Sequence, residues 1–296
     1  MPVATVRGRR DGPTVLMVAG GHPCEYTGIA ALRRLFGTLS TDALAGTLVI
    51  VPCLNLPGFF GLTPRVNPAD GVDAGRAFPG DPAGTPTERM VSLVWEELVR
   101  KTDYVLDVHG GDLDEELVAF ALVGLTGATA DRKAEALARA LSLPILVRTP
   151  PSARPPTRGT GLRTLAANHG IPAVLTEMGS QGIVDDAEVA RLVAALLRGL
   201  VHLGLLAGSA ETAGLERPPM VLDGFEGVYA PVEGFWRPAV RKGARVRRGQ
   251  LLGEIRDIFD EPLCQIEAER DAVALVVATA PPRRAGSILF GLGLGG

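Results

Sequence analysis

The sequence predicts an α/β fold, a mainly parallel sheet covered by helices on both faces, followed by a small all-β domain. Three observations carry this expectation. Through the first two-thirds of the chain, short apolar runs alternate with segments of helical periodicity, the pattern of strands joined by crossover helices. Past residue 220 the helical patterns stop, and short Val-rich runs separated by Gly replace them. Between the two parts, residues 207–219 (A-G-S-A-E-T-A-G-L-E-R-P-P) have the composition of a linker, which places the domains at 1–213 and 220–296.

Each element has its own signal. Residues 14–19 are a compact apolar run ending in Gly20-Gly21, as expected of a buried strand. Residues 27–39 carry Ile29, Leu32, Leu35 and Phe36 at helical spacing, and residues 47–52 form a second strand rich in β-branched side chains. A helix is predicted over 88–101, strands over 104–108 and 118–123, and an Ala-rich helix over 131–141. A further strand follows at 172–177 and a long helix at 185–206. The most apolar part of that helix contains Arg191, Arg198 and His202, so it reads as an amphipathic helix on a core rather than a membrane span. The expected β-domain strands are 227–231, 234–235, 245–255, 272–279 and 288–292, and no internal repeat stands out. Two stretches break the alternation. Residues 54–84 form a long loop rich in Gly, Pro, Asn and Asp, a length usually tied to function. Residues 148–161 are Pro-rich and basic, with Arg154 and Arg158 candidates to close over a site.

Composition excludes several classes. Apolar residues make up 46% of the 296 positions and charged residues 21%, so disorder, collagen and coiled coil are poor readings. A net charge of -3 gives no electrostatic reason to expect nucleic acid or an anionic membrane as partner. Arg237, Arg241, Lys242, Arg245, Arg247 and Arg248 are expected to form a solvated hairpin face. Three cysteines are too few and too sparse for a disulfide framework. The N-terminus reaches its charges before any apolar core, unlike a secretory signal. A soluble cytoplasmic protein is the expectation, and a homo-oligomer is compatible with it. The β domain faintly resembles biotinyl or lipoyl carriers, but its second half has no lysine to carry the group.

Three polar clusters follow predicted buried strands: G-G-H-P-C-E with His22 and Glu25, D-V-H-G-G-D with His109, and T-E-M-G with Glu177. In open α/β sheets, ligands gather at the carboxyl ends of strands. Two His and one Glu suit catalytic zinc, leaving a fourth position for water. H-x-x-E spacing lets one turn bring both side chains to an ion, with His109 arriving from a neighbouring strand. Glu177 is then the free carboxylate able to accept a proton from water. Arg65 and Arg76, in the long loop, could serve an oxyanion and grip a carboxylate, because a guanidinium matches a carboxylate bidentately. Taken singly, each signal is weak. A lone His after a strand is more often a hydrogen-bonded histidine, Glu177 alone could cap a turn, and Arg76 alone could be a salt-bridge partner. His169, after a helical run, and His202, on the long helix, have such bland readings.

Taken in order, these residues resemble the succinylglutamate desuccinylase/aspartoacylase family, related to the zinc carboxypeptidases. The matching stretches are G-G-H-P-C-E-Y-T-G-I, R-V-N-P-A-D-G-V-D-A-G-R-A-F-P-G at 65–80, D-V-H-G-G at 107–111 and G-I-P-A-V-L-T-E-M-G at 170–179. The segment A-P-V-E-G-F-W-R-P-A-V-R-K-G-A-R-V-R-R-G-Q-L-L-G-E-I resembles the family's small β domain. The resemblance implies a three-layer α/β/α zinc-carboxypeptidase-like domain with a mainly parallel (mixed) sheet. It implies one Zn2+ per chain on His22, Glu25 and His109, Glu177 as general base and later acid, and Arg65 polarising the carbonyl. Asp73, Gly75 and Arg76 fall in the substrate-binding turn, with Arg76 as carboxylate anchor, and Asp107 is placed to support His109. The implied activity is removal of an acyl group from an N-acylated amino acid or similar small amide. A zinc carboxypeptidase acting on peptides, or a metal-binding protein without catalysis, are the alternatives. Two departures matter: Gly75 stands where the family usually has Asn, which puts the carboxylate grip in doubt, and Pro23-Cys24 stand where it has Gly and a polar residue. Cys24 is expected to point into the core.

Overall fold

The computed structural model describes residues 1–150, 159–208 and 218–295. Residues 151–158 of the Pro-rich stretch, with Arg154 and Arg158, and residues 209–217 of the linker lie outside the described residues.

In chain order the first part contains β1 (Ala4–Arg7), β2 (Arg10–Ala19), α1 (Tyr26–Thr38), β3 (Ala45–Val51), α2 (Leu56–Phe60) and α3 (Pro86–Glu97). It continues with β4 (Tyr104–His109), β5 (Glu115–Leu117), β6 (Phe120–Gly124), α4 (Thr129–Leu141), β7 (Ile145–Thr149), α5 (Leu162–Asn168), β8 (Ala173–Glu177) and α6 (Asp186–His202). With β9 (Met220–Leu222), eight of these strands form one mixed sheet in the order β1-β3-β2-β4-β8-β6-β7-β9. The central pairs β3–β2, β2–β4 and β4–β8 are parallel, whereas β1–β3 and β8–β6 are antiparallel.

Strand alternation explains the three layers. In β2, Val15, Met17 and Ala19 face one core, shared with Leu32 and Leu35 of α1, Leu137 of α4 and Leu192 and Leu196 of α6. Leu16 and Val18 face the other, shared with Val91 and Trp95 of α3 and Leu165 of α5. A central parallel strand buried on both faces must be apolar at every position, which is why 14–19 reads as a continuous run. The predicted α/β class and helix-covered mixed sheet are what the structure shows.

Some boundaries differ. The helix predicted over 88–101 ends at Glu97 and tightens into a 3₁₀ turn over Val99–Lys101. The helix predicted to 206 ends at His202, because Gly204 turns the chain with φ +76°. The apolar period continues past that end because Leu205 is fully buried and Leu206 bridges to Leu44. The long loop contains α2 and a 3₁₀ turn over Ala74–Arg76, started by Asp73 accepting from Gly75 N. β7 occupies the start of the supposed Pro-rich connection, while β1 is a short edge strand with only one buried residue.

The last part holds β10 (Phe225–Tyr229), β11 (Gly234–Pro238), β12 (Arg245–Val246), β13 (Leu251–Arg256), β14 (Pro262–Glu267), β15 (Ala272–Ala278), β16 (Pro282–Arg283) and β17 (Ile288–Leu294). They make two antiparallel sheets, β10-β17-β15-β12 and β14-β13-β11-β16. Trp236 and Phe290 meet edge to face between them, with ring centroids 5.9 Å apart, and Trp236 Nε1 donates to Ala278 O. The two parts exchange strands. Met220–Leu222 was expected in the β domain, yet it pairs in parallel with β7 in the large sheet. Conversely, β5 pairs with β15. These exchanges hold the C-terminal strands against the mouth of the site. Among the described residues, no helix is long and apolar enough to cross a membrane.

Candidate active site

Because β2, β4 and β8 are neighbouring parallel strands, their carboxyl ends share one edge of the sheet. His109, the last residue of β4, stands in register beside Glu177, the last residue of β8. His22 and Glu25 lie in the turn that carries β2 into α1. Gly110 lets the β4 and β8 ends close together, since a Cβ there would lie 2.3 Å from Met178 O. Its N–H donates to Glu25 Oε2.

His22, Glu25 and His109 are all buried and bring one ligand atom each within 4.8 Å of one another. Glu25 Oε1 is 2.6 Å from His22 Nδ1 and Oε2 is 2.8 Å from His109 Nδ1. Both imidazoles therefore turn the same nitrogen inward. The outward nitrogens face carboxylates, with His109 Nε2 3.1 Å from Asp107 Oδ1 and His22 Nε2 3.5 Å from Asp73 Oδ2. Such outer carboxylates fix ring orientation and raise ligand basicity. Two imidazole nitrogens and a carboxylate oxygen converging on one point suit a borderline divalent cation.

Electrostatics reinforce the cluster. Burial alone would push the Glu25 carboxyl up, but His22 and His109 hold it far below the usual carboxylate range. Burial would lower His22, yet the Glu25 charge, with the Asp73 and Glu25 carboxylates beside the ring, raises it to about 9. The buried Glu25 charge thus lies between two imidazoles, at a place where positive charge is favoured. Glu177 behaves oppositely. Burial, then the Glu25 charge, push its carboxyl well above the ordinary range against the pull of His109, and its Oε2 is buried without a hydrogen-bond partner among the described residues.

Two connected lobes open over this cluster. The larger, about 630 Å³, is lined by His22, Glu25, Arg65 and Glu177 and by C-terminal residues including Phe225 and Ile288. The smaller, about 250 Å³, is lined by Gly75, Arg76, Asp107, His109, Gly161 and Arg163. His22, Arg76, Arg163, Leu175 and Glu177 belong to both. Arg65 Nε binds Asp112 Oδ2 at 2.7 Å and its Nη2 reaches Glu115 Oε1 at 3.2 Å, so the guanidinium is pinned from one side. Arg76 is mostly exposed, with Nε 3.8 Å from Asp73 Oδ2.

A model of the succinylglutamate desuccinylase/aspartoacylase catalytic domain matches residues 11–203. The chain belongs to that family. It is 30% identical over 279 residues to the N-alpha-acetyl-L-2,4-diaminobutyric acid deacetylase of Halomonas elongata, covering 92% of this chain and 79% of the relative. Among solved structures, the product-bound ectoine utilization protein EutE (DoeB) of Ruegeria pomeroyi superposes with TM-score 0.88 at 25% identity. The match covers 99% of this chain and 89% of that one. A succinylglutamate desuccinylase from a Silicibacter species superposes with TM-score 0.87 at 25% identity, covering 99% and 88%.

The structure brings His22, Glu25, His109, Glu177, Arg65, Asp73, Gly75, Arg76 and Asp107 together around one cleft. Cys24 is buried, and its thiol donates to Asp112 Oδ1 at 2.7 Å rather than joining the ligand group. His169 caps α5 and packs edge to face on Trp95, and His202 lies exposed in the last turn of α6. Three cleft residues escaped the sequence reading. Arg163 opens the first turn of α5. Its backbone N–H donates to Asp107 Oδ2, its Nε is buried without a partner among the described residues, and burial lowers its guanidinium to about 10. Asp112 and Glu115 hold Arg65. A conspicuous D-x-D-E run follows His109, but nothing in it says which carboxylate meets which arginine. Arg163 carries no motif at all.

Proposed function

We propose that this protein is a zinc-dependent deacylase that cleaves the amide of an N-acylated amino acid, a small carboxylate-bearing substrate. The observation that supports this most is the pairing of two opposite devices in one cleft. Three side chains converge as a candidate cation site, and a buried carboxylate, its Oε2 without a hydrogen-bond partner among the described residues, stands in register beside them. The chemistry that zinc supplies when bound is polarisation of a carbonyl and a lowered pKa for water.

The chain's own residues do the rest. Glu177 accepts a proton from water and returns it to the leaving amine, the two tasks of one carboxyl with a raised pKa. Arg65, immobilised by Asp112 and Glu115, faces the carbonyl oxygen of the acyl group. Arg76 and Arg163 line the smaller lobe and take the carboxylate of the amino acid. Asp107 holds His109 in the orientation that presents Nδ1. The activity of the Halomonas relative, deacetylation of an N-acetylated diamino acid, fits this arrangement.

The test is turnover of N-acetyl-L-2,4-diaminobutyrate, N-acetyl-L-aspartate and a dipeptide by zinc-loaded protein. Release of the free amino acid from an N-acyl substrate, with dipeptide turnover at least about a hundredfold lower, supports the reading. Dipeptide turnover that equals or exceeds it moves the assignment to a carboxypeptidase.

Two substitutions probe the surroundings of the ligands. Asp107→Asn is expected to weaken zinc affinity by about ten- to a hundredfold, the usual effect of losing an outer carboxylate, read by competition with a chelating dye. Unchanged affinity would remove Asp107 from this role. At Gly75, a Cβ would lie 3.0 Å from His22 Nε2 and 3.2 Å from Cδ2. Gly75→Asn, the family's usual residue, is therefore expected to push on the His22 ring and lower zinc affinity about tenfold, by the same sensitivity of metal sites to their outer shell. A gain in affinity for carboxylated ligands at unchanged zinc affinity would show instead that Gly75 merely loosens the anchor.

A further inference from the structure

The larger lobe has a polar end and an apolar end. Cross-strand partners share a face of the sheet, so Phe120, paired with Glu177, and Leu122, paired with Leu175, continue the catalytic face away from the metal ligands. Leu117 and Val276, partners across the β5–β15 junction, close that end from the side. Phe225 packs on Phe120 with ring centroids 6.3 Å apart, while Ile288 pairs with Tyr229. All of these side chains line the larger lobe. Phe225 remains 36% exposed and Tyr229 58% exposed, so apolar surface faces the opening.

Away from the ligand cluster, charged groups lining the larger lobe are paired with one another. Arg283 Nη1 bonds Asp114 Oδ2, and Arg65 bridges Asp112 and Glu115. In the smaller lobe Leu175 is the one large apolar side chain, and Arg76 and Arg163 line both lobes where they join. Glu177 stands where the two meet. An amide lying there points its amino-acid carboxylate towards the guanidinium groups of the smaller lobe. Its acyl group then enters the larger lobe, past Arg65. At about 630 Å³ this space falls in the range, roughly 300–1,000 Å³, of pockets that enclose whole drug-sized ligands. An acetyl group fills a small fraction of it.

We propose that the larger lobe is an apolar acyl site, and that the preferred substrates are amino acids N-acylated with an aliphatic or aryl acid larger than acetate. This rests on the deacylase reading above and names the part of the substrate that the C-terminal strands select. Sequence patterning did not show it, because Phe120, Leu122 and Val276 read as ordinary core positions and their opening onto the cleft depends on the strand exchange.

The test is calorimetric binding of N-acetyl-, N-butanoyl- and N-hexanoyl-L-2,4-diaminobutyrate to the zinc-loaded Glu177→Gln protein, with turnover of the same series by wild type. Each added methylene is expected to tighten binding about threefold, so hexanoyl exceeds acetyl by on the order of a hundredfold. Ile288→Ser, and independently Tyr229→Asp at a largely exposed position that folding tolerates, should cut that ratio to about ten or less. A flat series, with the acetyl compound still cleaved by wild type, overturns the apolar acyl site and leaves the deacylase standing. A gain that follows the amino-acid side chain in a matched N-acetyl series, and not the acyl chain, overturns the orientation. Neither binding nor turnover of any member overturns this proposal and the reading beneath it together.

Discussion

Glu177→Gln is expected to lower kcat for amide hydrolysis by about a thousandfold, near 4 kcal/mol of transition-state stabilisation, with zinc content unchanged. The carboxyl is suited to this by position and by environment. It closes β8 in register with His109, so it shares the edge of the sheet that holds the ligand cluster. Its Oε2 has no hydrogen-bond partner among the described residues, and burial with the nearby Glu25 charge keeps its proton affinity high. Glutamine keeps the size and removes the ability to carry a proton. A neutral amide in a buried site also costs less desolvation than a carboxylate, so the fold should hold. Steady-state kinetics at matched zinc loading decide the matter. A loss of only a few-fold would mean that another group moves the proton.

Replacing His109 by Ala is expected to drop zinc from near one per chain to below about 0.1, with activity falling in parallel. Three protein ligands leave little redundancy. His109 also joins Glu25 to Asp107, so its loss strips Glu25 of one of the two imidazoles that keep it ionised. Thermal unfolding gives an independent readout. A ligand that binds only the folded state stabilises it by mass action, so added zinc should raise the Tm of wild type and leave that of His109→Ala unmoved. Full zinc occupancy in His109→Ala would show that the ion sits elsewhere.

How much of this was legible in the sequence follows from how local each signal is. Buried parallel strands such as residues 14–19 announce themselves because both faces demand apolar side chains. His22, Glu25, His109 and Glu177 could be singled out because each lies within a few residues of such a strand end. The edge strand β1 carries one buried residue, and β7 runs straight into a Pro-rich stretch, so neither had enough pattern to detect. β9 lies within 220–296, read as the β domain, and its pairing with β7 was not foreseen because strand pairing across a linker leaves no local trace. Within the site, Arg65 and Arg76 were visible as arginines of the long loop, and their separate roles came only from the family resemblance. Arg163 reaches the cleft only because α5 packs beside β4, a tertiary fact. Gly75 was legible as a departure, but its proximity to the His22 ring was not.

The strand exchange also links fold to function. β5 leaves the catalytic half to pair with β15, and the loop before β5 carries Asp112, which holds Arg65. The C-terminal strands are therefore tied, through a few residues, to the arginine assigned to the carbonyl. Substrate selection by those strands and positioning of Arg65 share one structural joint.

The most direct test of the central claim is zinc titration of protein stripped by chelator, reading hydrolysis of N-acetyl-L-2,4-diaminobutyrate beside elemental zinc content. A metal-dependent deacylase built on His22, Glu25 and His109 predicts activity that rises linearly and saturates at about one zinc per chain. Full activity in the metal-free protein, or stoichiometric zinc with no activity towards any N-acyl amino acid, would contradict it.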